Sequence, residues 1–188
     1  MDTYSANSLK ILNNSKEEYQ KRYIEKNELI KPETKEQILG NKFHSLICYY
    51  LKNFEIKKFE NSLSENELKI FERIKKSNPV SIFLKSDEKH VEQPFFVIEK
   101  GGIDFCLTGR FDAVCKIKDK YIILDWKTKN LPKDIDYDIQ TMVYTECCSK
   151  LYKTKNVEMI YYSLFEDKEE KAFFREEYIE KIKKIIEL

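Results

Sequence analysis

The chain has 188 residues, 36% of them charged and 13% aromatic, with a formal net charge of +1. That length suits one domain, residues 1–188, with a real core; the amino terminus shows no apolar h-region and no apolar run reaches membrane length, so a cytoplasmic location is the default expectation. A charge this close to zero also excludes nucleic-acid capture by the field of the whole molecule, so such a partner would need a local groove.

Ser5 can cap a first helix running to about Ile24, with Leu9, Leu12, Tyr19 and Tyr23 as its apolar contacts. Pro32 marks a break. Residues 34 to 54 read as a long amphipathic helix with the stripe Leu39, Phe43, Leu46, Ile47, Tyr50, Leu51 and Phe54. His44 lies about 100° from the centre of that stripe, at about 100° per residue, which puts it on a flank that can reach a cleft. Ser64-Glu65-Asn66-Glu67 has the form of a capping box opening a helix to about Lys76. From Val80 the pattern turns to strands: Val80 to Leu84, Val91 to Glu99, a Gly101-Gly102 turn, then Leu107 to Ile117. Pro132 and Asp134 precede a helix from Ile135 to Tyr152; Val157 to Leu164 reads as a strand and Glu176 to Leu188 as a closing helix. In that last segment, Lys181, Lys183 and Lys184 alternate with isoleucines in a way that fits the wet face of a packed helix.

The most informative stretch is the apolar run Tyr121-Ile122-Ile123-Leu124 that ends in Asp125-Trp126-Lys127. Period-two geometry puts Asp125 and Lys127 on one face of the strand and Trp126 on the other, facing the core. If Lys118-Asp119 is the two-residue loop, Asp112 lies opposite Asp125; if Asp119-Lys120, opposite Lys127; a three-residue loop pairs it with Trp126 and spoils the arrangement. Facing carboxylates repel, and the remedies are a shared proton or a cation. Oxygen ligands beside a lysine suit a hard ion such as Mg²⁺. A surface hairpin with solvated charges is the plainer alternative, but the apolar run implies burial on both faces.

Gly109-Arg110-Phe111-Asp112, then Ile123-Leu124-Asp125-Trp126-Lys127-Thr128, then Gln140-Thr141-Met142-Val143-Tyr144 resembles the motif series of the PD-(D/E)XK nucleases, most closely the RecB-like branch. His44 matches the upstream helical histidine of that branch, Tyr4 to Leu9 its usual start, and Glu92 an acid often found ahead of the Asp112 strand. The missing proline before Asp112 is a small departure. The resemblance spans roughly residues 4 to 145. It implies an α/β, restriction-endonuclease-like fold, a central mixed β-sheet of four or five strands flanked by helices. It implies a DNA exonuclease that hydrolyses phosphodiester bonds with Mg²⁺ or Mn²⁺, held by His44, Asp112, Asp125 and the Trp126 carbonyl. Lys127 joins Asp112 and Asp125 in catalysis, while Gln140, Tyr144, Glu92 and Arg110 bind or orient substrate. Taken without the resemblance, the flank carrying Gln140 and Tyr144 is an ordinary polar helix boundary, and Arg110, Lys129 and Lys133 are as readily solvated charges as phosphate contacts.

Several relatives of that branch hold an iron–sulfur cluster, but Asn14-Ser15 stands where the early cysteine belongs and nothing after Cys148 supplies the late set, so no cluster is expected. The five cysteines, Cys48, Cys106, Cys115, Cys147 and Cys148, contain no C-x-x-C and read as reduced, mostly buried thiols. The alternative is a non-catalytic nucleic-acid-binding or scaffold module of the same fold; RNA is the alternative substrate. A helicase or recombination partner follows from analogy alone, and a homo-oligomer stays open.

Overall fold

The structure, a computed structural model, describes residues 1–27, 32–128 and 130–188. Its centre is one six-stranded mixed sheet: β1 (Asp2–Tyr4), β2 (Glu88–Glu99), β3 (Phe105–Ile117), β4 (Lys120–Lys127), β5 (Val157–Ser163) and β6 (Lys168–Phe173). This is the restriction-endonuclease-like α/β architecture, with more strands than the four or five expected. β1 is only three residues long and β6 reads Lys-Glu-Glu-Lys-Ala-Phe, so neither carries a period-two apolar pattern.

Helices cover both faces. α1 (Ala6–Asn14) is capped by Ser5, whose hydroxyl accepts from the Ser8 amide. The helix expected to continue to Ile24 breaks at Ser15. Ser15 is extended (φ −158°, ψ 107°), and its hydroxyl caps a short α2 (Lys16–Tyr19) that passes into a π-helical turn, Gln20–Ile24. α3 (Lys35–Leu51) starts at a Thr34/Gln37 capping box and buries Phe43, Leu46, Ile47 and Leu51. After α4 (Lys57–Glu60) comes α5 (Glu65–Lys75), opened by the Ser64/Glu67 box. The strand expected over Val80 to Leu84 is instead α6 (Asn78–Lys85). Pro79 sits in its first turn, and Val80 and Phe83, three apart, share the buried face; that helical spacing overrides their β propensity. α7 (Ile139–Tyr152) begins four residues later than expected because Asp138, not Asp134, is its cap, accepting from the Gln140 amide. α8 (Tyr178–Ile186) closes the chain described.

The β3–β4 loop is the two-residue Lys118-Asp119, with Lys118 at φ 56°, and the ladder runs from Ile117–Lys120 to Ala113–Leu124. The next pair in line would be Asp112–Asp125, and there the ladder stops. β2 runs along one edge of β3 for nearly its whole length, so the other edge is shared by β1, at Phe105 to Leu107, and β4, from Ala113 onward. Residues 108–112 of β3 are left unpaired on that edge. Beyond Leu124, β4 keeps only its parallel partner β5, with Asp125 beside Tyr161 and Lys127 beside Ser163. The sheet therefore forks at Asp112 and Asp125.

The fork coincides with a reversal of faces. Phe105, Leu107 and Phe111 point to the core shared with α1, α7 and α8, yet Ala113 and Cys115, of the same parity, point to the core shared with α3, α5 and α6. β2 reverses at the matching place: Phe95 and Val97 face the first core and Val91 packs on the second. The residue between them, Glu92, opposite Asp112, takes φ 57° while the pairs Val91–Ala113 and Gln93–Phe111 keep register. A left-handed glutamate costs about 1–3 kcal/mol and persists where its surroundings over-determine it. Here the cost coincides with the point where both strands turn over.

Candidate active site

The fork lets side chains from both helical layers meet. Asp112 turns its carboxylate into the gap, where Oδ2 accepts from the Trp126 backbone N–H at 3.0 Å, in place of the missing ladder bond. From the α3 layer, His44 Nδ1 stands 3.4 Å from the same oxygen. From the α7 layer, Gln140 Nε2 donates to Asp125 Oδ1 at 2.6 Å. Lys127 bridges the two: its Nζ is 2.7 Å from Asp125 Oδ2 and donates to Gln140 Oε1 at 2.7 Å, with the Tyr161 ring 5.3 Å away. His44, Asp112, Asp125, Trp126, Lys127, Gln140 and Tyr144 all line one open pocket of about 340 Å³. The Trp126 side chain faces the α3 core, as expected.

Asp125 is the electrostatic focus. Burial raises its pKa; Lys127 opposes this, Asp112 adds to it, and His44 partly offsets it. Its Oδ2 is buried with no hydrogen-bond partner beyond the Lys127 ion pair. Burial works against charge on His44 too, but Asp112, Asp125 and the Trp126 carbonyl outweigh it and raise its pKa above 6.5. The pocket therefore sets His44 and Lys127 around two carboxylates crowded together.

The donor set fits a hard divalent cation: two crowded carboxylates, one with a buried oxygen held only by the Lys127 ammonium, beside the Trp126 carbonyl. Among the described residues no three His, Cys, Asp or Glu side chains are gathered closely enough to hold an ion by themselves. An ion here would thus keep several waters, as Mg²⁺ commonly does.

Tyr144 donates to the Arg110 carbonyl at 3.1 Å, and its ring packs edge-on against Phe95 and Phe111, each at 5.4 Å. Gly109 makes that stack possible, since a Cβ there would lie 2.4 Å from the Phe95 ring. Arg110 Nε is 2.7 Å from Glu92 Oε2, and both line a second groove beside the first. Lys133 is exposed, and Lys129 lies outside the described residues. All five cysteines are free thiols, and only Cys48 is not buried.

Sequence reading missed three supports of this site. Gly40, one turn before His44, lets α3 approach Thr128; a Cβ there would lie 3.1 Å from Thr128 Oγ1. A glycine inside an otherwise good helix costs about 1 kcal/mol against alanine, and that cost was the available signal of a close approach. Asp138 caps α7 and pairs with Lys10 at 2.9 Å, fixing Gln140 from behind. Tyr161, under Lys127, hydrogen-bonds Thr141 at 3.0 Å; nothing in its apolar strand marks it.

A mixed sheet between two helical layers, with two acids and a lysine at its fork, is the architecture of the restriction-endonuclease-like proteins. The chain belongs to the PD-(D/E)XK nuclease superfamily, whose sequence model matches residues 3–187. No curated protein sequence matches it. Among solved structures, one described as "Crystal structure of SSO0001" is similar at 14% identity and a TM-score of 0.40, over 96% of this chain and 82% of that one. Membership points to nuclease chemistry on a nucleic acid, and divalent metals are typical of the superfamily. Among the described residues no helix is long and apolar enough to cross a membrane.

Proposed function

We propose that this chain is a Mg²⁺- or Mn²⁺-dependent deoxyribonuclease of the RecB-like branch, acting on DNA from an end. The observation that carries the reading is the meeting of Asp112, Asp125 and Lys127 at the sheet fork, with His44 and Gln140 closing the same pocket. Asp112, Asp125 and the Trp126 carbonyl would hold the cation, with His44 as the remaining protein ligand. When bound, the ion supplies Lewis-acid polarisation of the scissile phosphate and makes water nucleophilic near neutral pH. Lys127, already fixed by Asp125 and Gln140, orients the attacking water and stabilises charge developing on the phosphate. Gln140 holds Lys127 and Asp125 in register. Tyr144 holds the β3 backbone at Arg110, so that Asp112 stays in the gap. Displacement is in line and needs no covalent intermediate.

End-labelled linear DNA, incubated with wild type, Asp125→Ala or Lys127→Ala in Mg²⁺, Mn²⁺ or EDTA, tests this directly. Wild type should release label only with metal, and each variant should lose at least about 10²-fold in rate. Undiminished cleavage by Asp125→Ala would end the proposal. Closed circular DNA should resist; its nicking would make the enzyme an endonuclease.

A further inference from the structure

The second groove, about 550 Å³, runs along the outer flank of α3 and meets the candidate active site at His44, which lines both. Its other wall is Arg110 on β3, with Glu92 behind it. Arg110 is two residues from Asp112, a separation of about 7 Å along a strand. Its side chain is 64% exposed, whereas the Glu92 carboxylate that takes its Nε is 21% exposed. One edge of the guanidinium is therefore anchored and the rest of the fork faces the groove, a geometry suited to the oxygens of a phosphate. The anchor is itself fixed, because Glu92 is the left-handed residue at which both strands turn over. On the opposite wall Lys52 stands at the end of α3, eight residues after His44, or about 12 Å along the helix. Among the described residues the Lys52 side chain has no ion-pair or hydrogen-bond partner, and the groove's single acid, Glu92, is already engaged by Arg110. A chain whose net charge is +1 must find its phosphate contacts in such local places.

Resting on the nuclease reading above, we propose that this groove holds the nucleic-acid strand flanking the scissile phosphate. Arg110 grips the neighbouring phosphate and Lys52 one further along. Glu92 is a positioning residue for Arg110. The strand thus passes over His44 and leaves along α3.

The test is the binding of a labelled single-stranded oligonucleotide in EDTA, followed by anisotropy across a salt series. Arg110→Gln and Lys52→Gln should each weaken binding several-fold and each lower the salt slope by about 0.7. Lys85→Gln, an exposed lysine on α6, should change neither. A neutral methylphosphonate next to the scissile linkage should weaken wild type but leave Arg110→Gln unaffected, because the contact is already gone. Equal sensitivity of wild type and Arg110→Gln to that substitution, unchanged salt slopes in both groove variants, or no measurable binding by wild type would overturn the proposal. Metal-dependent cleavage by wild type alongside those results would leave the nuclease reading standing, whereas groove binding without cleavage would sink that reading alone.

Discussion

Replacing Gly40 with alanine should separate activity from stability. The new Cβ would sit 3.1 Å from Thr128 Oγ1 and 3.2 Å from its Cγ2. Comfortable carbon contacts are about 3.5–4.0 Å, so α3 or Thr128 at the end of β4 must shift by about half an ångström. Two terms then oppose each other in stability. Alanine in a helix interior gains about 1 kcal/mol over glycine, and mild overpacking costs about the same or slightly more. Thr128 is only partly buried and can give way, so the net change should stay within about 1 kcal/mol. Activity has no such compensation. Thr128 follows Lys127 directly and His44 is one turn beyond Gly40, so the shift falls on the line joining the two halves of the pocket. Since a misplacement of about 1 Å can cost about 10²-fold, half of that should cost about tenfold in metal-dependent DNA cleavage. Urea denaturation and initial cleavage rates, measured on Gly40→Ala, Thr128→Ala and the double variant, give the complete cycle. The double variant should cleave as Thr128→Ala does, because the obstruction has been removed. Full activity in Gly40→Ala at unchanged stability would refute the idea that this contact positions His44 over β4.

Gly109→Ala should behave differently, since its Cβ would fall 2.4 Å from the Phe95 ring inside a buried aromatic stack; a loss of about 1–3 kcal/mol in urea denaturation is expected, and a neutral result would mean the stack is looser than it looks. Glu146 should make stability fall as pH rises. Burial chiefly, opposed by Lys150 and reinforced by Glu99, raises its pKa to about 7 from 4.5, so the folded state binds more protons across that window. The stability it contributes is fully present below pH 4.5 and lost as pH rises through about 7, amounting to about 2 kcal/mol once solvent screening through half-exposed Lys150 is allowed for. Glu146→Gln should flatten the difference between urea midpoints at pH 5 and pH 8, and an identical pH slope in both proteins would contradict this origin.

The residues that sequence could place are those whose neighbours in the chain constrain them. The buried run from Tyr121 to Leu124 put Asp125 and Lys127 on one face, but the loop register stayed open among three choices, and the structure's Lys118-Asp119 loop is what brings Asp112 level with Asp125. The 3.6-residue stripe of α3 put His44 on its flank, and the Ser64/Glu67 box opened α5 where expected. What sequence could not supply is tertiary. The face reversal depends on a left-handed glutamate, and no residue preference announces a positive φ at Glu92. Without it, Asp112 reads as one more member of a continuous ladder, not as a carboxylate set in a gap that both helical layers can reach. β6 escaped because its charged sequence has no apolar face of its own and is ordered by pairing with β5. The Val80 to Leu84 segment shows the converse, since a β-rich composition lost to the placement of Pro79 in a first helical turn.

The central claim is that the two acids at the fork bind one divalent cation between them, and titration of Mn²⁺ into the metal-free protein by calorimetry tests it most directly. Wild type and Lys127→Met should each take up Mn²⁺ at this site, whereas Asp112→Asn and Asp125→Asn should each bind it at least about tenfold more weakly, since each removes a charged ligand while keeping its shape. Equal Mn²⁺ affinity in wild type and both asparagine variants would contradict the account.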